Sequence, residues 1–355
     1  MELVIFFCTS EYDLDVLAAE INRLFAGVQV VGCTTAGEIG PAGYRTHSLS
    51  GVSFPAGSCV AVSGLLERLS QFDIAGGHDF AQTLLQQLES RDPESCPDNS
   101  FAFMLIDAMS IREEPVASAL QYALGKTPLF GGSAGDDLKF TKTPIFENGS
   151  FHSDSTVLIL INTALPFQLF KTQHFVSTNE RLVVTQANPT KRIVSEINGL
   201  PAAAEYARLV GVDVNDLNFM SFAAAPVVVM IDGTDYVRSI QKANADGSLA
   251  FYCAIEEGLV LRVAHGVDLT NNLEQTFAKI QQEIRPPQLV IGCDCILRRL
   301  EVDKNSLNDR VGELFLHNNT IGFSCYGEQY KGVHVNQTLT SCAIGSAVET
   351  DSGKV

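Results

Sequence analysis

Two segments near opposite ends of this 355-residue chain follow one pattern. They are Gly32-Cys33-Thr34-Thr35-Ala36-Gly37-Glu38 and Gly322-Phe323-Ser324-Cys325-Tyr326-Gly327-Glu328, both Gly-x-[Ser/Thr]-x-x-Gly-Glu. Each follows a short apolar run, Val30-Val31 or Thr320-Ile321, and the match extends outward. The strand-like Leu3–Cys8 and amphipathic Leu14–Phe25 precede the first copy; Leu289–Cys293 and Leu307–Leu316 precede the second. A strand-helix-strand-loop unit therefore occurs twice, and internal repetition constrains a fold more than any single motif. A duplicated unit ending in a small-residue turn with an acidic group points to two related half-sites facing one cleft. That arrangement suits a ligand-binding protein.

Composition narrows the class. Hydrophobic residues make up 46% and charged residues 18%, the balance of a compact globular protein with about two domains. A net charge of −17 sets the chain against nucleic acid and anionic membranes, which would repel it. Nine cysteines, an odd number spread through strand-like runs, fit free thiols in a reducing compartment. The start lacks a basic, apolar, small-residue leader pattern. The longest apolar stretch, Phe222–Ile231, is broken by Pro226 and too short to span a bilayer. The expectation is a cytoplasmic protein without membrane insertion.

The first half alternates strand-like runs (Val4–Cys8, Val28–Gly32, Leu49–Phe54, Val60–Leu66, Phe101–Ile106) with helical ones (Leu14–Phe25, Phe80–Leu88, Val116–Leu124). Asp92–Asn99 is a connector of prolines and Asx residues. From Pro144 the texture turns to successive strands, starting with an Asn148-Gly149 hairpin and continuing through Val157–Asn162, Phe167–Phe175 and Leu182–Gln186. A helix is expected over Ala202–Leu209, then strands Val227–Asp232, Tyr236–Ile240, Leu249–Ala254 and Leu259–Ala264, and a helix from Leu273 to Ile284. The fold class is α/β of mixed α+β type, with duplicated units, mixed sheets and two intimately packed modules. A boundary between Phe219 and Pro226 divides them into residues 1–222 and 223–355.

The paired turns are the first candidate site. Their glycines permit close backbone approach, and Thr34, Thr35, Gly37, Glu38, Ser324 and Glu328 supply hydroxyls, N–H groups and carboxylates for a polar ligand. The competing account is that the glycines end strands while the glutamates cap a neighbour. Gly131-Gly132-Ser133-Ala134-Gly135 matches a nucleophile elbow, but the sequel has little helical character, so it reads better as a third small-residue turn. Cys293-Asp294-Cys295 invites a metal, yet no second close Cys/His pair joins it. Among seven histidines, His174 in the alternating run Phe170–Phe175 and His334 after the second repeat are placed to project from a strand into a cavity. Arg238 and Arg262, on strands, call for an acidic lining opposite.

Taken in order, several segments resemble the FIST sensory-domain family, N-terminal and C-terminal modules together, over nearly the whole chain. They are Val31–Glu38, Leu129–Asp136, Tyr236-Val237-Arg238-Ser239 and Ile321–Gln329, with His334–Thr338 similar to the family's closing strand. The resemblance implies a small-ligand sensor that signals to a separate histidine kinase or cyclic-di-GMP pathway, since little of the chain is left for an output module. It further implies, through the stand-alone members, haem as cofactor and nitric oxide as signal, with His174 or His334 as metal ligand.

Three functions therefore stand open. In the sensor, ligand between the halves shifts their packing; if it is an amino acid or another metabolite, Arg238, Glu38 and Glu328 would touch it. In the enzyme, a hydrolase would use Ser133, or Cys325 with His334. In the scaffold, no ligand is needed. The sensor is the principal reading, and no catalytic residue is assigned.

Overall fold

The computed structural model describes residues 1–231, 233–284 and 287–346. The strand expected over Val227–Asp232 is seen as Val227–Ile231, and Asp232 lies outside the described residues.

The repeat occurs three times. In the first unit, strand Leu3–Thr9 pairs in parallel with Gln29–Thr35 and antiparallel with Leu49–Phe54. Helix Leu14–Leu24 makes the crossover, its first turn capped by the Asp13 carboxylate, which accepts from the Asp15 and Val16 N–H groups. In the third unit Leu289–Cys295 pairs the same way with Thr320–Cys325 and Leu339–Ile344. Between lie Ser100–Ile106, Leu129–Ser133 and Ser155–Asn162 in the same relation, with helix Glu113–Leu124 as crossover. The central strands Leu3–Thr9 and Ser100–Ile106 are buried at every residue, which explains their unbroken apolar runs. The middle copy escapes the seven-residue pattern because it ends Ala134-Gly135-Asp136, without the Gly-Glu close.

Each unit lends a hairpin to another. The first unit's Glu38–Gly40 pairs with the third unit's strand, Ile39 opposite Gly322 and Glu38 opposite Phe323. The third unit's Glu328–Tyr330 pairs with the second, Gln329 opposite Gly131 and Glu328 opposite Gly132. Ile145–Glu147, which follows the second unit, pairs with the first, Phe146 opposite Gly32 and Ile145 opposite Cys33. The register is identical in all three, so the exchange is cyclic. At its centre the rings of Phe7 and Phe323 stack at 4.6 Å, those of Phe103 and Phe130 at 4.7 Å, and Phe7 meets Phe103 edge-on at 6.5 Å. One core thus draws on all three copies.

The glycine at each lending point is required. A Cβ on Gly32 would lie 2.6 Å from the Phe6 carbonyl oxygen, and on Gly131 or Gly322 it would run into the carbonyl of Met104 or Gly292. These are rigid backbone atoms of the neighbouring strand, so a side chain has no way past them.

Segment Phe175–Gly266 forms a second body, built on antiparallel strands with its own core of Leu182, Val184, Tyr206, Phe222 and Leu261. The strand expected over Phe167–Phe175 breaks at Gln173-His174, where the chain leaves the body of three units for this insert. It returns through Val267, whose N–H donates to the His174 carbonyl at 2.7 Å. The boundary expected between Phe219 and Pro226 falls inside the insert, beside Phe222 of its core. Mixed α/β class and intimate packing match the sequence; triplication and the inserted body had no sequence signal strong enough to read.

Gly131→Ala should therefore cost about 3 kcal/mol or more, the upper end of overpacking penalties, measured by urea unfolding. An unchanged midpoint would contradict the close approach at the lending strand.

Candidate functional site

The carboxyl ends of the parallel strands converge, as ligand-binding edges of α/β sheets do. Here they close on one another. Ala36 N–H donates to the Ser324 carbonyl (2.9 Å) and Ser324 N–H to that of Gly37 (2.7 Å). Tyr326 N–H donates to Ser133 (3.1 Å), Ser133 N–H to Gly327 (2.8 Å), and Gly135 N–H to Thr34 (3.0 Å). The first, third and second units are thereby joined in a ring of main-chain bonds. Over it, Asp137, Leu138 and Phe140 all take left-handed backbone conformations. Tyr326 holds that loop by donating to Asp136 (2.6 Å) and accepting from Leu138 N–H (2.7 Å), and its ring stacks on Phe140 at 4.5 Å.

Within the ring, the motif glutamates have matching partners. Glu38 accepts from Thr35 Oγ1 three residues earlier (2.6 Å), and from Ser48 N–H (3.2 Å) and Oγ (2.5 Å) ten residues later. Glu328 accepts from Cys325 Sγ three residues earlier (3.1 Å), and from Thr338 N–H (3.1 Å) and Oγ1 (2.7 Å) ten later. Both carboxylates are buried and turned into their own hairpins. The pattern Gly-x-[Ser/Thr]-x-x-Gly-Glu thus describes how a turn is locked. Burial pushes Glu328 up to about 8, so at neutral pH it is largely uncharged. Burial also pushes Cys325 well above an ordinary thiol.

The other polar concentration lies on the seam between the three-unit body and the insert. Arg192 of the insert donates to Glu113 (2.6 Å) and Glu114 (2.7 Å) of helix Glu113–Leu124 and to the Tyr252 carbonyl (2.7 Å). Glu114 also accepts from Ala254 N–H at 2.6 Å. Arg238 donates to the His334 carbonyl at 2.5 Å, and Ser239 contacts Asn336 through N–H (3.3 Å) and Gln337 through Oγ (3.0 Å). Arg238 thus meets a backbone carbonyl where an acidic lining was expected.

His334, on strand Val333–Val335, sits in the middle of this seam, 1% exposed. Its Nδ1 faces Gln329 Nε2 at 3.2 Å, and the same amide nitrogen donates to Ser133 Oγ at 2.9 Å. With the Gln329 amide in this orientation Nδ1 accepts and the imidazole proton falls on Nε2. That Nε2–H has no hydrogen-bond acceptor among the described residues, and neither does Gln329 Oε1 have a donor. The Tyr252 backbone lies close enough to act on the ring as a weak hydrogen-bond partner that favours its charged form, but it falls short of a full hydrogen bond to Nε2. Burial dominates and holds the imidazole down to about 4, hence neutral. Space for this ring exists because Gly327, at φ +151°, has no side chain; a Cβ there would strike His334.

The remaining candidates separate. Thr34 and Ser324 are buried with hydroxyls lacking a partner, but each belongs to its own turn. His174 lies between strands, not on one: its Nε2 meets both Glu301 oxygens at 3.0 Å and its Nδ1 faces Arg298 at 3.3 Å. Arg298 is wholly buried and donates to Asp294 at 2.7 Å, and Tyr44 donates to the same carboxylate. The run holding Arg298 and Glu301 is a helix, Ile296–Lys304, that the sequence did not disclose.

These surroundings decide what chemistry is available. Ser133 takes its hydrogen bond from an amide and touches no imidazole, and the Cys325 thiol is spent on Glu328 and kept un-ionised chiefly by its burial. No group of three or more His, Cys, Asp or Glu among the described residues could hold a metal ion. Haem needs a slot of several hundred Å³ and an imidazole nitrogen free of hydrogen. His174 spends its Nε2 on Glu301, and His334 has its proton on Nε2 with Gly327 closed over the ring. Neither environment, as it stands, fits haem. Glu113, Glu114 and Arg192 carried no signal as site residues, because only the fold brings residues so far apart in the chain together, while Gln329 and Asn336 lay in the segments Ile321–Gln329 and His334–Thr338 without being singled out.

A model of the FIST N domain matches residues 2–200, and a model of the FIST C domain matches residues 202–331. No curated protein matches the chain. No helix among the described residues is long and apolar enough to cross a membrane.

The pH behaviour of Glu328 follows from its raised pKa. The native state keeps the proton between the usual 4.5 and about 8 while the unfolded chain releases it. Stability from this group is therefore present below pH 4.5 and lost as pH rises to 8. His334 acts oppositely, from 6.5 down to about 4. Glu113, raised to about 7, and Lys171, lowered to about 8, also titrate near the window from pH 6.5 to 8, so Glu328 is read there as the difference between wild type and Glu328→Gln. Unfolding free energy should fall there by up to about 1.4 kcal/mol per pH unit, and Glu328→Gln should flatten the slope. An equal slope in wild type and Glu328→Gln would refute the assignment.

Proposed function

The chain belongs to the FIST family, whose domains are sensory modules of signal transduction, and from that premise we propose a small-ligand sensor that reads its ligand at the seam around His334. The observation that carries this reading is the unpaired, buried Nε2–H of a neutral histidine placed between two bodies. A buried donor without a partner costs about 1–3 kcal/mol, so an acceptor oxygen on a small polar molecule would be favoured there. Amino acids and small carboxylic acids have such an oxygen, and the charges of Arg192, Glu113 and Glu114 flank the site.

Binding at this seam would act on the insert's position. Arg192, Arg238 and Ser239 hold the insert to the body by hydrogen bonds, beside an apolar contact of Phe219 and Tyr252 with the body. A ligand that competes with or completes those bonds has different affinity for docked and shifted states, which is what a switch requires. A separate signalling protein, such as a histidine kinase, would read the shifted surface.

The finer reading, haem with nitric oxide as the signal, draws on the family resemblance and on the unpaired nitrogen of His334. Ligation would require the Nε2 proton to move and Gly327 to yield.

Calorimetric titration with amino acids and small carboxylic acids, and absorption spectra with hemin, then reduction and nitric oxide, separate the two. The metabolite sensor predicts saturable heat that weakens about tenfold or more in His334→Ala, the loss of one buried hydrogen bond. The haem sensor predicts a stoichiometric Soret band that nitric oxide shifts and His334→Ala abolishes. Heats and spectra indifferent to His334→Ala would sink the site.

A further inference from the structure

The insert meets the body at one crossing, where Gln173-His174 lead out and Val267-Asp268 lead back. The Val267–His174 main-chain bond ties the two passages together, and His174 is clasped by Glu301 and Arg298 of helix Ile296–Lys304. A body joined to its neighbour by one paired crossing would pivot about that crossing, which makes this place the candidate hinge.

A pocket of about 230 Å³ opens to solvent beside it. Phe175, Phe219 and Met220 form its wall on the insert, Leu297 and Leu300 its wall on the body, and Glu301 stands at its edge. An engineered apolar cavity of about 150 Å³ is enough to bind benzene, so this space accepts a molecule of one or two rings. The Glu301 carboxylate offers about four acceptor positions, of which the His174 ring can fill only part. A ligand here would touch both bodies at once, so its affinity would depend on the hinge angle.

We propose that this pocket is a binding site for a small aromatic molecule with an N–H or O–H donor, of about the size of indole, anchored on Glu301. It wedges between helix Phe219–Ala224 of the insert and helix Ile296–Lys304 of the body. The site shares no residue with the seam around His334, and binding here would bias the docked state that the seam reads.

The test uses the full protein, with indole as probe and benzene as the donor-free control, followed by calorimetry. One saturable indole site is expected. Ala224→Phe, an exposed position on the pocket wall, should abolish it, and Met220→Trp should do the same if the first variant melts early. Glu301→Gln should weaken indole about tenfold while leaving benzene unchanged, the signature of a hydrogen bond and not of packing. Indole should also slow hydrogen exchange at the Val267 amide. No saturable binding, or binding unaffected by both pocket-filling variants, overturns the proposal. His334→Ala should leave indole binding intact, so failure here is distinguishable from failure of the seam site.

Discussion

The cyclic exchange of hairpins is the constraint on which the rest depends. Each unit alone would leave the strand after its crossover with an unpaired edge, and each edge is closed by a neighbour's hairpin in the same register. The exchange works only where the receiving strand carries glycine against its own parallel partner, at Gly32, Gly131 and Gly322. It also fixes the carboxyl-terminal loops in a ring of main-chain hydrogen bonds. Glu38 and Glu328 belong to this device, each locking the start of a lent hairpin to a residue ten positions on.

A rigid body of this kind makes a good reference against which something else can move. The insert Phe175–Gly266 has its own core and meets the body through a polar seam of Arg192 and Arg238 and an apolar contact of Phe219 and Tyr252. Buried polar contacts contribute little net stability when complete and cost much when broken singly, so such a seam favours discrete arrangements. His334 is rooted in the rigid body but points its unpaired N–H into that seam.

Much of this was legible in advance, and the failures have physical reasons. Runs such as Leu3–Thr9 and Ser100–Ile106 announce themselves because strands buried on both faces must be apolar throughout. The repeat was visible twice because Glu38 and Glu328 do the same work at equal spacing. The third copy was hidden because Asp136 caps the loop Phe140–Lys142 instead, accepting from three successive N–H groups. Helix Ile296–Lys304 was missed because Arg298, which reads as a surface residue, is the largest side chain fully buried in the protein. His334 could be named but not placed: its value comes from Gln329, Ser133 and Gly327, and nothing in spacing predicts a tautomer. Arg192 could not be picked out, since its partners Glu113 and Glu114 are distant in the chain.

The central claim is that the insert can leave its seam while the three-unit ring stays closed. Native-state hydrogen exchange tests it directly on the ligand-free protein. The account predicts that the Ala254 and Ser239 amides, bonded across the seam to Glu114 and Asn336, exchange through a low-energy opening. The Ala36, Ser133 and Ser324 amides of the ring should exchange only with global unfolding. Exchange of both sets at one common free energy would mean that body and insert open as a single unit, and would contradict the account.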